Sequence, residues 1–505
     1  MTPTPRPPLP YALLLPVILV VLVDVFATTL VMPVLPLYAE QLGASALGAT
    51  LTISIFSACQ LVSGPVLGAI SDRVGRKPVL VISQAGTLGG LLLIAGARSM
   101  AQVYVGRVID GFTAGNLSLA QALVAERTPP ERRSDAFALM VAALGVALFV
   151  GPFASAQLVR YGLAAPIYAG AALSALSIVA SIALLPRSAP APSASSAPSV
   201  VPAASAASAA SAPSAAPAPS APSASSAPSA SSPPSASPPG PAGGTGAGDP
   251  AGAAGEARAS FKALLDWNTY GQYFRRPGLG PVLRQFALYT FALSSFLSGV
   301  AIFAVRSFRL GDAPFGPREV GYLFAYGGLL GVVIQGLMMP LLTRRFGDRA
   351  VVRAGFAAFA LGQLGLGFAR SVPALVAAVT VGSFGMNALR PSLTSLITKQ
   401  VGDREQGVVL GVAQSLESLM AIAAPVVGGL LLDRGWNSSW AWLTGVVALL
   451  GLAAARADGP EGPAVAPRPG GEPEGPATAP RPGGEPEGPA SAPRPGAEPA
   501  APATT

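Results

Sequence analysis

Gly64–Leu80, GPVLGAISDRVGRKPVL, interrupts an apolar chain with the charges Asp72, Arg73, Arg76 and Lys77 set around Gly75. Glycine takes a positive φ without steric cost, and Pro78 suits the first turn of a following helix. The stretch therefore reads as a tight polar turn that joins two antiparallel apolar helices where they meet water.

The rest of the chain supports that reading. Of 505 residues, 51% are hydrophobic and only 11% charged, and the mean hydropathy is +0.53, a balance that a soluble domain of this length does not show. The fold class is all-α and membrane-embedded. A formal charge of +8 suggests nucleic acid only until the arginines are located, because they fall in short loops between apolar runs and form no basic stripe with interleaved aromatics. The single cysteine, Cys59, excludes an intrachain disulfide framework or cysteine cluster, and the absence of histidine leaves proton chemistry to carboxylates. No nucleophile elbow, phosphate loop or metal-ligand spacing is present, so the chain reads as a non-enzyme with no metal and no cofactor.

Runs of roughly 18 to 25 apolar residues, enough to cross a bilayer core, fall near 12–37, 47–70, 79–97, 103–124, 136–159 and 164–185. Six more fall near 281–304, 320–342, 350–368, 372–396, 407–432 and 439–454, making twelve spans. No cleavage site follows the first run, which reads as a retained span. The expected organisation is an N-terminal tail (1–10), a six-helix bundle (11–186), a disordered Ala/Pro/Ser-rich linker (187–275), a second six-helix bundle (276–456) and a disordered tail (457–505) that repeats PEGPAVAPRPGGE-like units. Basic residues concentrate in the even-to-odd connections, among them Arg73, Arg76, Lys77, Arg132, Arg133, Arg344, Arg345 and Lys399, which puts both termini and the linker in the cytoplasm. Trp267 falls in a loop, and Trp436, Trp440 and Trp442 read as anchors at the last outer interface.

The halves repeat. A shift of 272 residues superposes GPVLGAISDRVGRK (64–77) on GLMMPLLTRRFGDR (336–349), placing Gly75 on Gly347, and PERR (130–133) on GDRE (402–405). Two six-helix halves in parallel duplication are a construction that secondary transporters use, with the solute site between the halves near mid-membrane.

Several motifs resemble the major facilitator superfamily. Gly64, Gly68, Asp72, Arg73, Gly75, Arg76 and Lys77 match the signature G-x-x-x-G-x-x-x-D-R-x-G-R-K/R of its loop between helices 2 and 3, and the resemblance implies a latch between the halves on the cytoplasmic side. Asp72 facing the positive amino end of helix 11 would supply that latch. Arg107 and Gly111 resemble the family's helix 4 arginine motif, while Gly145 through Gly151-Pro152 resembles its helix 5 antiporter motif, ending here in Ser155-Ala156 in place of a glycine pair. Pro425, Gly428 and Gly429 provide a matching packing motif in helix 11. Arg390-Pro391, Gln406-Gly407, Ser415-Leu416 and Ser418-Leu419, together with Asp24 ahead of Met32–Pro36, are similar to the tetracycline/proton antiporters.

Membrane carboxylates are the candidate proton carriers, because an unpaired charge within a span costs at least ~3 kcal/mol. Asp24 lies mid-helix in span 1. Asp110 stands three residues from Arg107 on one helical face, so the two either serve transport or neutralise each other. Glu417 lies near the middle of span 11, where an acid suits a cationic solute. Asn116, Gln121, Gln285, Gln335, Asn387 and Gln414 are candidates to line the cavity by hydrogen bonding. The resulting expectation is a monomeric, proton-coupled exporter of small amphipathic compounds in the inner membrane, with protons, solute and lipid as its partners and no nucleic acid. Its alternatives are a symporter or facilitator for a sugar, acid or metabolite, and a non-transporting scaffold.

Overall fold

The computed structural model describes residues 11–129, 132–185 and 267–457, which are almost entirely helical. The expectations for 1–10, 187–266 and 458–505 lie outside the described residues. Helix α1 (Tyr11–Val31) stops at the proline-bearing run Met32–Pro36, and α2 (Leu35–Gln41) restarts with Pro36 in its first turn. Ser45 caps α3 (Ala46–Val74) by accepting the Gly48 N–H at 3.2 Å. α3 then ends at Gly75, with φ +98°, and α4 (Arg76–Ala95) starts on the next residue. The turn read from Gly64–Leu80 is present, and its copy is built the same way. Gly347, with φ +77°, joins α12 (Met339–Phe346) directly to α13 (Asp348–Phe368).

The fourth apolar run is not one helix. It divides into α5 (Met100–Phe112) and α6 (Asn116–Arg127) around Thr113–Gly115. The Thr113 hydroxyl turns back to the carbonyl of Ile109 at 2.8 Å, competing with the regular ladder. Ser83 of α4 serves the backbone that the break frees, donating to the Thr113 carbonyl and accepting the Gly115 N–H at 3.2 Å. Eleven other helical segments among the described residues are long and apolar enough to cross a membrane, and α5 with α6 makes the twelfth crossing.

The first half continues with α7 (Arg133–Leu158) and α8 (Ala165–Leu184). The second begins with α9 (Trp267–Arg275), so the expected linker of 187–275 is helical over its last nine residues. The reason is amphipathic spacing, for Tyr273 and Phe274 pack against the core of α10 (Leu279–Ser307) and its neighbours. A short antiparallel pair, β1 (Arg309–Leu310) and β2 (Ala313–Pro314), precedes α11 (Pro317–Val333). A π-helical turn, Ile334–Met338, carries α11 into α12. α14 (Val372–Lys399), α15 (Asp403–Asp433) and α16 (Asn437–Ala457) complete the half. Trp440 of α16 is fully buried, packs on Phe303 and donates to the Ser295 carbonyl at 3.3 Å. It is a core residue and not the interfacial anchor expected; Trp436, exposed beside Arg434, suits that role.

The hydrophobic cores show how the halves meet. At the end bearing Asp72, one core is confined to residues 14–185 and another to 279–455. Near the end bearing Glu40, a single core mixes Leu37, Ala46 and Ala49 with Val300, Phe303, Leu432 and Trp440. The halves are therefore welded at the Glu40 end and separate at the Asp72 end.

Candidate functional site

The weld is made by close backbone approach and by a few polar ties. Glycines let the helices touch, since a Cβ on Gly429 of α15 would strike the Thr50 side chain and stand 3.0 Å from the Leu47 Cα of α3. One on Gly321 of α11 would stand 2.7 Å from the Ala156 Cβ of α7. The glycine pair missing from the helix 5 motif is thus compensated from the other side, where Gly321 accepts the Ala156 methyl. Ser54 donates to the Ile422 carbonyl at 2.8 Å, Gln157 to the Tyr322 hydroxyl at 2.8 Å, and Arg306 pairs with Glu40 at 2.6 Å. Gly145 of α7 also faces Val332 of α11 across the halves; within the halves, Gly151 admits Thr29 of α1, and Gly428 leaves room for the Ser295 hydroxyl. Pro425 lies inside α15.

Beneath the weld lies a cavity of about 540 Å³ lined by α1, α7, α10, α11, the π turn and α14, running from Met32 and Val300 toward Ala138 and Pro340. Its surface is mainly apolar, with Thr29, Tyr289, Pro152, Gln335, Ser383 and Asn387 among its members. Of the polar residues expected there, Gln335 and Asn387 are present and bonded to each other, Gln335 Nε2 donating to Asn387 Oδ1 at 3.0 Å. Asn116, Gln121, Gln285 and Gln414 lie outside this lining. Asn116 is drawn away by the break in span 4, and Gln285 is buried within its own half.

The three candidate carboxylates are buried and also lie outside the lining. Asp110 is paired with Arg107 at 2.8 Å, and Arg107 also stacks on the Phe56 ring at 4.5 Å. Glu417 is paired with Arg390 of α14 at 3.0 Å, an arginine noted in the sequence only as part of a motif. That partner corrects the expectation of an acid open to a cationic solute. Asp24 differs from both. Asn116, the first residue of α6, donates to its Oδ1 at 2.9 Å, and among the described residues Asp24 makes no ion pair. The Asn116 Oδ1 beside it is buried without a partner. Asp24 thus sits by the amino end of a half-helix, held by a neutral amide and the positive end of a dipole.

The charged loop does its visible work inside the first half. Arg76 bridges Asp72 at 3.2 Å and Glu126 of α6 at 3.1 Å. Lys77 donates to the carbonyls of Ile182 and Leu185, tying α4 to the end of α8. Asp72 is half exposed and pairs with Arg76, and α15 starts after Gly402, which has no side chain to cap it. A Cβ on Gly68 would meet nothing within 4 Å, in keeping with an unclosed end. In the second half Asp348 supplies the acid, buried and bound at 2.6 Å by both Ser395 and Lys399.

Glu40, beyond the first span, has its carboxyl pushed up from the usual value by burial, an effect that Arg306 opposes. A carboxyl whose affinity for a proton rises on closure makes closure easier as pH falls and harder as pH rises through that raised value. The Glu40 end is therefore expected to open more as the pH on its side of the membrane is raised through that value. Spin-label distances across that end check this, and Glu40→Gln should flatten the dependence.

The family model described as Major Facilitator Superfamily matches residues 17–344 and 315–496. The tetracycline resistance protein of class C from Escherichia coli is 26% identical over 445 residues, 85% of this chain and 92% of that relative. The class G protein from Vibrio anguillarum is 24% identical over 461 residues, 86% of this chain and 94% of that relative. Among solved structures, the human organic anion transporter MFSD10 superposes with a TM-score of 0.57 at 22% identity, covering 89% of this chain and 100% of that one. A peptide transporter, POT, gives 0.62 at 15% identity, covering 89% and 95%. At these identities the solved structures speak for the fold.

Proposed function

Because this chain belongs to the Major Facilitator Superfamily and is thereby a multi-pass membrane transporter of small solutes, we propose that it exports amphipathic, drug-like compounds in exchange for protons. The observation that carries the reading is Asp24, the one candidate carboxylate held by a neutral amide while Asp110 and Glu417 each have an arginine. Ionised, such a group costs at least ~3 kcal/mol in a span, and a bound proton relieves that cost. Its occupancy therefore biases whichever conformation exposes it less to water. The full-length likeness to tetracycline resistance proteins supports export.

In this reading the chain lies in the inner membrane as a monomer, needs no cofactor beyond the proton gradient, and has its basic Asp72 end in the cytoplasm. The structure is then the inward-open state, sealed outside and ready to take solute from within. Rocking the halves would close the Asp72 end, bringing Asp72 to the amino end of α15 as a latch.

Asp72→Asn is accordingly expected to slow turnover several-fold with solute affinity nearly unchanged. It should cost under about 1 kcal/mol of stability, since the Arg76 pair is solvent-exposed. Transport kinetics and direct binding on the same preparation separate these effects, and lost binding with normal turnover contradicts the latch. The proposal as a whole is tested by a drug-susceptibility panel that includes tetracyclines. Cells making the protein should show resistance, and a panel with no protected compound counts against export.

A further inference from the structure

The cavity between the halves carries no charge among the described residues, and three of its five polar side chains, Thr29, Tyr289 and Asn387, are already engaged, leaving the Ser383 hydroxyl and part of Gln335. Thr29 donates to the Ala147 carbonyl at 3.1 Å, Tyr289 to the Met386 carbonyl at 3.0 Å, and Asn387 Nδ2 to the Ser383 carbonyl at 2.8 Å. Asn387 Oδ1 accepts from Gln335. Among the described residues Gln335 is left with its carbonyl oxygen and second amide hydrogen unpartnered, on a half-buried side chain in the cavity wall. It is placed there by the π-helical turn Ile334–Met338, a local widening of the kind that recurs at functional sites. Gly331, one turn earlier, leaves the room Asn387 needs, for a Cβ there would stand 2.9 Å from Asn387 Oδ1.

The remaining wall, with Met32, Val141, Leu293, Phe296 and Phe324, is apolar. A charged solute entering it would lose water and gain no counter-charge, because the pairs Arg107–Asp110 and Arg390–Glu417, and Asp24 with them, lie outside the lining. A neutral solute with one strong hydrogen-bonding group loses far less and finds Gln335.

We propose that this cavity selects uncharged amphiphiles and that Gln335, presented by the π turn, is its specificity-determining hydrogen-bonding group. The inference deepens the exporter reading and rests on it for the cavity's role as solute site. It separates cargo from coupling, with solute recognised in a neutral chamber and the proton held at Asp24 behind it.

Binding to the purified full chain in nanodiscs, without any gradient, tests it with a matched set of probes. Triphenylphosphine oxide is neutral with a strong acceptor oxygen, tetraphenylphosphonium is a fixed cation in which a fourth phenyl ring replaces that oxygen, and tetraphenylborate is the anion of the cation's shape. The oxide should bind at least tenfold more tightly than either ion. Gln335→Leu should weaken the oxide about five- to tenfold, the loss of one buried hydrogen bond, and Gln335→Glu should raise tetraphenylphosphonium binding at least tenfold. The near-isosteric glutamate keeps the test valid if the leucine variant misfolds. Either ion matching the oxide, no oxide binding, or a leucine variant that folds and binds the oxide undiminished overturns the proposal. If the oxide binds through Gln335 but its addition to energised vesicles releases no protons, the selectivity stands and the antiport reading falls.

Discussion

Asp24→Asn should reduce proton-driven transport to background while leaving cavity binding within about twofold of wild type. The exchange is nearly isosteric, and an asparagine Oδ1 at position 24 still accepts the Asn116 Nδ2–H now found at 2.9 Å. What disappears is the ability to carry a charge and lose it. In a span where an unpaired ion costs at least ~3 kcal/mol, that switch is worth roughly a hundredfold or more in the balance between two conformations. The matching changes at Asp110 and Glu417 do something different, because each leaves an arginine buried without its anion. Removing one partner of a buried pair costs about 3–5 kcal/mol, so those variants should lose folded protein before they lose coupling. Membrane abundance measured beside transport distinguishes the two outcomes.

The second large effect is expected at the weld. Gly429→Val puts branched carbons where Thr50 and the Leu47 backbone already stand. Overpacking of this kind costs about 1–3 kcal/mol, and here the cost falls on one conformation alone, so the sealed state should lose about five- to 150-fold in population. Transport should fall by a comparable factor while each half stays folded. Spin labels at Gln41→Cys and Asp433→Cys, in a Cys59→Ser background, should report a wider Glu40 end. Gly89→Val is the control, because a Cβ there meets nothing within 4 Å.

What the sequence disclosed follows from how local each signal is. The α3–α4 turn was legible because glycine and charge are both needed within a few residues, and the duplication predicted that Gly347 would repeat Gly75, as the two positive φ values bear out. Long apolar runs marked the spans for the same reason. The break in the fourth span was hidden, for Gly111, Thr113 and Gly115 are ordinary residues of a packed membrane helix, and the hydroxyl that stabilises the break comes from Ser83 on another helix. The Arg390–Glu417 pair joins residues on different helices, and only the crossing of α14 and α15 brings them together. Trp440 was misread because aromatic residues near a span's end usually face the interface, whereas α16 turns this one against Phe303. The π turn holds Gly336 and is followed by Pro340, but neither residue fixes a widened turn within a long apolar run, so Gln335 could be named as a polar candidate but not placed.

Uptake of a labelled compound to which the protein confers resistance, into everted vesicles bearing an imposed pH gradient, tests proton-driven export most directly. Accumulation should require wild-type protein, be accompanied by proton efflux from the lumen, collapse when the gradient is dissipated, and be absent in Asp24→Asn at equal abundance. Uptake that continues at full rate after the gradient is dissipated, or in the Asp24→Asn protein, would contradict the coupling assigned to this residue.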